Sequence, residues 1–145
     1  MPPTTDPGPH PQAFVDPLEG VLHALDHLVK GTLRPPAGTP AGLLCELIEL
    51  LERRFAREER DPAFEALLEL RPGLYGELRR LRREHRQLLS WARRLEASTS
   101  LDPHPALARA LREEVKALSR CIRSHEATEG ALLQLAYLTD LGGED

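Results

Sequence analysis

Leucine recurs every three or four residues along most of this chain, a spacing that places it on one face of an α-helix. Three of the leucine-rich stretches follow a capping residue and a proline. These pairs are Asp16-Pro17, Thr39-Pro40 and Asp102-Pro103. Such a pair favours a helix start, because the side-chain oxygen accepts a hydrogen bond from the first turn and proline needs no donor there. A fourth stretch opens at Pro72, so the sequence predicts four amphipathic helices.

The bounds of these helices follow from the breaks in the leucine pattern. The first is predicted to end near Leu33 and the second near Arg60, with residues 64–68 forming a short helical link. A polar loop is predicted at 98–100, and the last helix is expected to end near 140–143, where glycine can cap it. Short connections between four helices predict an all-α, up-down-up-down antiparallel four-helix bundle.

The N-terminal segment differs in composition from the rest of the chain. Its first twelve residues include five prolines and one glycine and little apolar mass, so we predict a disordered Pro-rich tail at 1–13. Residues 14–145 are predicted to form one domain, because their number fits a single core. Neither a signal-peptide pattern nor a membrane-spanning apolar stretch is evident, so we expect a cytoplasmic protein without a membrane partner.

Charge and cysteine content narrow the classes of partner. The net charge of −4 gives no overall attraction for nucleic acid, and we expect none to bind. The seven arginines of the third helix are interpreted as a solvated face paired with neighbouring acidic faces. They are Arg79, Arg80, Arg82, Arg83, Arg86, Arg93 and Arg94. Cys45 and Cys121 are too few for a disulfide framework and are predicted to be buried thiols.

Ionisable residues stand at positions where the helical pattern calls for apolar ones. His85 fills the gap in the third leucine stripe, between Leu81 and Leu88. His125 and Glu129 lie one turn apart on the inward face of the fourth helix, and Glu58 continues the apolar line of the second. We therefore predict that two histidines and two glutamates from three helices converge inside the bundle.

A buried charge costs several kcal/mol unless it is paired or coordinated, so this cluster requires compensation. A divalent iron or manganese ion could bind imidazole nitrogen and carboxylate oxygen together. Alternatively, Arg54 could supply the positive charge within a hydrogen-bonded network that needs no metal. The residues by themselves leave both interpretations open.

Three stretches carry a resemblance to a known family. They are RFAREE at 54–59, LRREHRQLL at 81–89 and SHEATEGALL at 124–133. In this order they resemble the hemerythrin, or HHE cation-binding, family over roughly residues 15–141. The resemblance implies four antiparallel helices that hold a non-haem di-iron centre through histidines and carboxylates. Members of the family carry oxygen, store or sense iron, or sense oxygen and nitric oxide.

By this resemblance the metal ligands are Glu58, His85, His125 and Glu129, with His27 as the match on the first helix. Two positions depart from the family pattern. Arg54 stands where the family has histidine, and Leu22 lies in the first apolar stripe while His23 and His27 project away from it. We therefore expect a depleted site that holds non-haem iron as a mono- or dinuclear centre, or no metal if the site is degenerate.

The leading functional hypothesis is a metal-binding bundle that senses or binds iron, oxygen or a redox signal rather than turning over a substrate. Its alternative is a metal-free pseudo-hemerythrin bundle, with Arg54 replacing the metal charge and the surface binding a protein partner. A third hypothesis is redox catalysis at an iron centre with an open position. The chain is expected to be a monomer or a homodimer.

Overall fold

The computed structural model describes residues 16–31, 39–101 and 109–142, and within these ranges the regular structure is entirely helical. Its five α-helices are α1 (Pro17–Lys30), α2 (Pro40–Glu59), α3 (Pro62–Leu70), α4 (Tyr75–Leu101) and α5 (Arg109–Gly142). A single 3₁₀ turn, Pro72–Leu74, joins α3 to α4. The predicted tail at 1–13 and the predicted start of the last helix at Asp102-Pro103 lie outside the described residues.

The capping pairs that the structure describes behave as the sequence predicts. Asp16 accepts a hydrogen bond from the backbone N–H of Leu18 at 3.1 Å, and Thr39 accepts one from Gly42 at 3.0 Å. Each bond satisfies a donor that the first turn would otherwise leave unpaired. The starts of α1 and α2 are therefore encoded locally.

Two predicted helix ends are wrong. Helix α1 stops at Lys30 rather than near Leu33, because Gly31 adopts a left-handed conformation at φ 71° and caps the last turn. Helix α4 continues through the loop predicted at 98–100. There Thr99 is buried and its hydroxyl donates to the carbonyl of Glu96 at 2.9 Å, so the polar residues satisfy themselves within the helix.

The segment predicted as a short link is the separate nine-residue helix α3. Asp61 caps it by accepting from the N–H of Ala63 at 2.9 Å. Phe64 of α3 packs against Leu81 of α4 and Leu132 of α5 in a small apolar cluster. This fifth helix therefore covers one side of the bundle close to the ionisable residues of α4 and α5.

The four long helices enclose the main leucine core. Helix α1 packs against α2 and α5, and α4 packs against the same two helices. Fully buried core residues include Leu22, Leu25, Leu44, Leu47, Leu51, Leu118 and Ile122. Along α4 and α5 this core ends at Leu88 and Ile122, and the small cluster beneath α3 begins at Leu81 and Leu132. The predicted ionisable residues of these two helices lie between the two apolar clusters.

The cysteine prediction is wrong, since Cys45 and Cys121 are both exposed free thiols. Each cysteine is next in sequence to a buried residue, Cys45 to Leu44 and Cys121 to Ile122. Because successive side chains of a helix point in different directions, the neighbour of an inward residue can face solvent.

Among the described helices, none is both long enough and apolar enough to cross a bilayer.

Core packing generates a first prediction. Leu51→Ala should lower the free energy of unfolding by about 2–5 kcal/mol, because Leu51 is fully buried and its loss leaves a cavity. Leu70→Ala is the matched control: this side chain is 56% exposed, and the change should cost under about 0.5 kcal/mol. Urea unfolding followed by circular dichroism measures both, and equal losses would contradict the described core.

Candidate metal centre

His85 projects from α4 into the space between the two apolar clusters and is buried. Its Nδ1 donates to the carboxylate of Glu59 at 3.1 Å. Its Nε2 contacts Glu129 Oε1 closely and lies 3.4 Å from Glu58 Oε2. The ring of Phe55 stacks on the imidazole at a centroid distance of 3.9 Å, so one face of the ring is apolar. The imidazole is thus held between an outer and an inner carboxylate.

His125 on α5 repeats this arrangement. Its Nδ1 donates to Glu84 Oε2 at 2.7 Å, and its Nε2 lies 2.6 Å from Glu129 Oε1. The centroids of the two imidazoles, His85 and His125, are 4.8 Å apart. Glu129 therefore faces both Nε2 atoms with the same oxygen, and it is almost completely buried.

The orientation of both rings is the one that metal-binding histidines commonly take. A carboxylate that accepts from Nδ1–H fixes the ring and directs the Nε2 lone pair toward a shared interior point. Glu59 and Glu84 are these outer partners. Sequence reasoning did not assign either of them a role in the site, although each directly precedes or follows a predicted ligand in the chain.

Two inner carboxylate oxygens have no hydrogen bond within the described part of the chain. Glu129 Oε2 is buried in this condition, and Glu58 Oε2 is buried with only its 3.4 Å contact to His85 Nε2. One ligand atom each from Glu58, His85, His125 and Glu129 can be chosen so that all four lie within 4.8 Å of one another. Buried polar atoms normally find partners, and two imidazole nitrogens with two carboxylate oxygens suit a divalent transition metal. The residues therefore fit a cation.

Burial and the charges of neighbouring groups shift the pKa values of the glutamates in this cluster. Burial raises the pKa of Glu58 to about 7, with Glu129 and Glu126 adding to the effect and His85 opposing it. Burial also acts on Glu129, but the hydrogen bonds from His125 and His85 hold its pKa well below the usual range. Glu129 is therefore held in its ionised form, whereas Glu58 is protonated more readily than a free glutamate.

The pKa values of the two histidines are raised, whereas burial alone would lower them. Burial alone lowers the pKa of His85, but its hydrogen bonds to Glu129, Glu58 and Glu59 outweigh that effect and raise the pKa to about 10. The pKa of His125 is also raised, since Glu129 and Glu84 outweigh burial. In the absence of metal the site is thus an ion-paired network, and a cation must displace the inner protons to bind.

Arg54 lies beside this network and joins three carboxylates. Its guanidinium donates to Asp16 at 2.7 Å and approaches Glu126 at 2.6 Å and Glu58 at 3.3 Å. Glu126, which directly follows His125 in the chain, is half-buried, with its side chain 18% exposed. Burial of Glu126 follows from its contact with Arg54, which helical spacing could not reveal.

The structure does not bring His27 into the group formed by the other four predicted ligands. Its Nε2 lies 3.0 Å from Nε2 of His23, one turn earlier on α1. Leu22 is buried in the leucine core instead, as the apolar stripe of the first helix predicts. Helix α1 therefore turns leucine rather than imidazole toward the interior.

A small cavity of about 20 Å³, partly open to solvent, adjoins the cluster on the side of α3. Its lining includes Phe64 of α3, Leu78 and Leu81 of α4, and Arg82, which is exposed. At its inner end it reaches Glu58, Glu59, His85 and Glu129. A partly apolar passage thus leads from the surface to the candidate ligands.

Comparison with known proteins agrees with this geometry. The family model described as Hemerythrin HHE cation binding domain matches residues 12–136. That span covers most of the chain, so the protein belongs to the hemerythrin HHE cation-binding family. No curated protein and no solved structure gives a further match.

The raised histidine pKa values predict how stability depends on pH in metal-free protein. A group whose pKa is higher in the folded state stabilises the fold fully below its unfolded value, here 6.5, and the contribution is lost as pH rises through the folded value. With His85 at about 10, the free energy of unfolding should fall between pH 7 and 9, by ~1 kcal/mol per unit for one proton. Urea unfolding in chelator measures this slope.

The neutral variant His85→Gln provides the comparison, because it removes the proton concerned and should flatten the decline. A profile of the parent chain that stays level across the same interval would show that His85 is not held as an imidazolium.

Proposed function

We propose that this chain binds one divalent cation, iron being the first candidate, through Glu58, His85, His125 and Glu129. The observation that carries the proposal is the convergence of one ligand atom from each of these four residues within 4.8 Å of one another, with Glu58 Oε2 and Glu129 Oε2 buried and without hydrogen bonds. A cation would neutralise the two carboxylates and accept the Nε2 lone pairs of both imidazoles. Glu59 and Glu84 orient these rings through hydrogen bonds to Nδ1. Membership of a cation-binding family supports the same function.

A mononuclear site is favoured over a dinuclear one. The family pattern places a histidine at position 54, and the guanidinium there already approaches Glu58 and Glu126. A second cation next to this fixed charge would be repelled and would lack imidazole ligands from α1, where Leu22 occupies the interior. Arg54 therefore substitutes for the second ion.

The arrangement of the four long helices belongs to this proposal as well. We propose the up-down-up-down order, and contacts between neighbouring helices support it. The last turns of α2 meet the start of α1 through Arg54 and Asp16, while its residue Glu52 pairs with Arg93 far along α4. In two antiparallel neighbouring helices, residues late in one helix contact residues early in the other, as Arg54 of α2 and Asp16 at the start of α1 do.

The biological role that suits such a site is sensing or binding of iron, oxygen or a redox signal in the cytoplasm. Iron commonly takes more than four ligands, so four protein ligands would leave a position for a small exogenous ligand. The cavity beside His85 offers a path for such a ligand. Apart from the proposed ligands, the ionisable side chains that line this cavity are Glu59, whose carboxylate is paired with His85 Nδ1, and Arg82, so we favour binding over catalysis.

Metal analysis tests the leading function. Untagged protein from iron-supplemented cells, washed over a weak chelating resin, should retain close to one ion per chain by mass spectrometry. Glu129→Gln and His125→Gln should each lose most of that metal, whereas the control His104→Gln, which changes a histidine that is not a proposed ligand, should not.

Helical content by circular dichroism verifies that the variants fold, and His85→Gln replaces any that does not. Recovery of only trace metal with the parent chain would reject a cation site.

The second candidate function is a metal-free bundle whose surface binds a protein partner. The observation in its favour is the set of three carboxylates around Arg54, which brings a permanent positive charge into the cluster without metal. In this case the cluster specifies the packing of α1, α2 and α5 and has no ligand of its own.

A pair of arginine variants tests the ion pairs on which the metal-free candidate rests, and the effect of chelator separates the two candidates. Arg54→Ala should lower the free energy of unfolding by about 1–3 kcal/mol in chelator, because Glu58 and Glu126 lose their partner in a half-buried setting. Arg93→Ala removes an exposed pair with Glu52 and should change little. The metal-free candidate also requires that chelator leave the melting temperature of the parent chain unchanged, and a clear drop would exclude it.

A further inference from the structure

A second group of imidazoles lies on α1, away from the cluster at Glu129. His23 and His27 are four residues apart and so occupy the same face of the helix. Their Nε2 atoms are 3.0 Å apart and their ring planes are nearly perpendicular, at 85°. His23 is exposed and His27 is half-buried. The two side chains thus present paired nitrogen atoms at the surface.

The separation of the two nitrogens matches a metal chelate. Imidazole nitrogen binds a first-row transition metal at about 2.0–2.1 Å, so two such ligands at a right angle are about 2.9 Å apart and two at a tetrahedral angle about 3.4 Å. The observed 3.0 Å is close to the right-angle value. Right-angle nitrogen ligands are typical of square-planar or octahedral Cu²⁺ and Ni²⁺.

The helix backbone holds this pair in place. Leu18, Leu22 and Leu25 anchor the opposite face of α1 in the leucine core. Gly31 ends the helix one turn after His27 with a left-handed cap, so both histidines lie within regular helix. A chelate across one turn of an already formed helix requires little ordering of the chain, which favours binding.

We propose that His23 and His27 form a surface site for a divalent transition metal of the Cu²⁺ or Ni²⁺ type, separate from the cation site at Glu129. The metal takes both Nε2 atoms as ligands, and water completes its coordination. In the metal-free chain the same two atoms share one N–H···N hydrogen bond. This proposal does not depend on whether the interior cluster binds metal.

Chromatography on immobilised Ni²⁺ tests the site selectively, because a metal fixed to a matrix reaches surface imidazoles and cannot enter the buried cluster. Untagged full-length protein should be retained, and His23→Gln and His27→Gln should each elute at clearly lower imidazole. His10→Gln and His104→Gln are matched controls, since they remove histidines elsewhere in the sequence, and should elute with the parent chain.

Titration of free Ni²⁺ by calorimetry provides the second measurement. Loss of one of two ligands should weaken this binding step roughly tenfold or more, by analogy with the sensitivity of metal sites to their supporting groups. Because His23 is exposed, the variant His23→Gln should retain its fold. Circular dichroism verifies this. Elution and Ni²⁺ affinity equal to those of the parent chain in His23→Gln would overturn the proposal.

Discussion

The carboxylate of Glu129 is the interaction on which the interior of this protein depends. One of its oxygens faces Nε2 of both His85 and His125, and the residue is almost completely buried. Such an anion is tolerable inside a leucine bundle only because two imidazoles offset its desolvation. In the function proposed above, the oxygen that faces both imidazoles would also ligate the cation once their protons leave. Folding stability would then be coupled to metal and to pH through the same atoms.

Arg54 links three helices at the edge of the cluster. It connects the cap of α1, through Asp16, with Glu58 of α2 and Glu126 of α5. Asp16 also caps α1 through its other oxygen. The start of the first helix and the edge of the cluster thus share one carboxylate, so the position of α1 against α2 depends on the charge of Arg54.

Much of the fold could be predicted because the signals are local. Proline after a capping residue identified the starts of α1 and α2, and leucine spacing identified their buried faces. The predictions failed where short-range composition was ambiguous: the polar residues at 98–100 suggested a loop, yet the hydroxyls of Thr99 and Ser100 hydrogen-bond to Glu96 within the continued helix α4. The extent of α3 was also underestimated, because its burial depends on Phe64 packing against residues of α4 and α5.

The sequence by itself determined that Glu58, His85, His125 and Glu129 lie on inward faces, because helical periodicity depends only on spacing along one element. Only the tertiary structure decided which groups support them. Glu59 and Glu84 became the outer partners of the imidazoles, Glu126 joined Arg54, and His27 joined His23 rather than the interior. These outcomes depend on the rotation and separation of neighbouring helices, quantities set by side-chain packing between elements and absent from the pattern of any one of them.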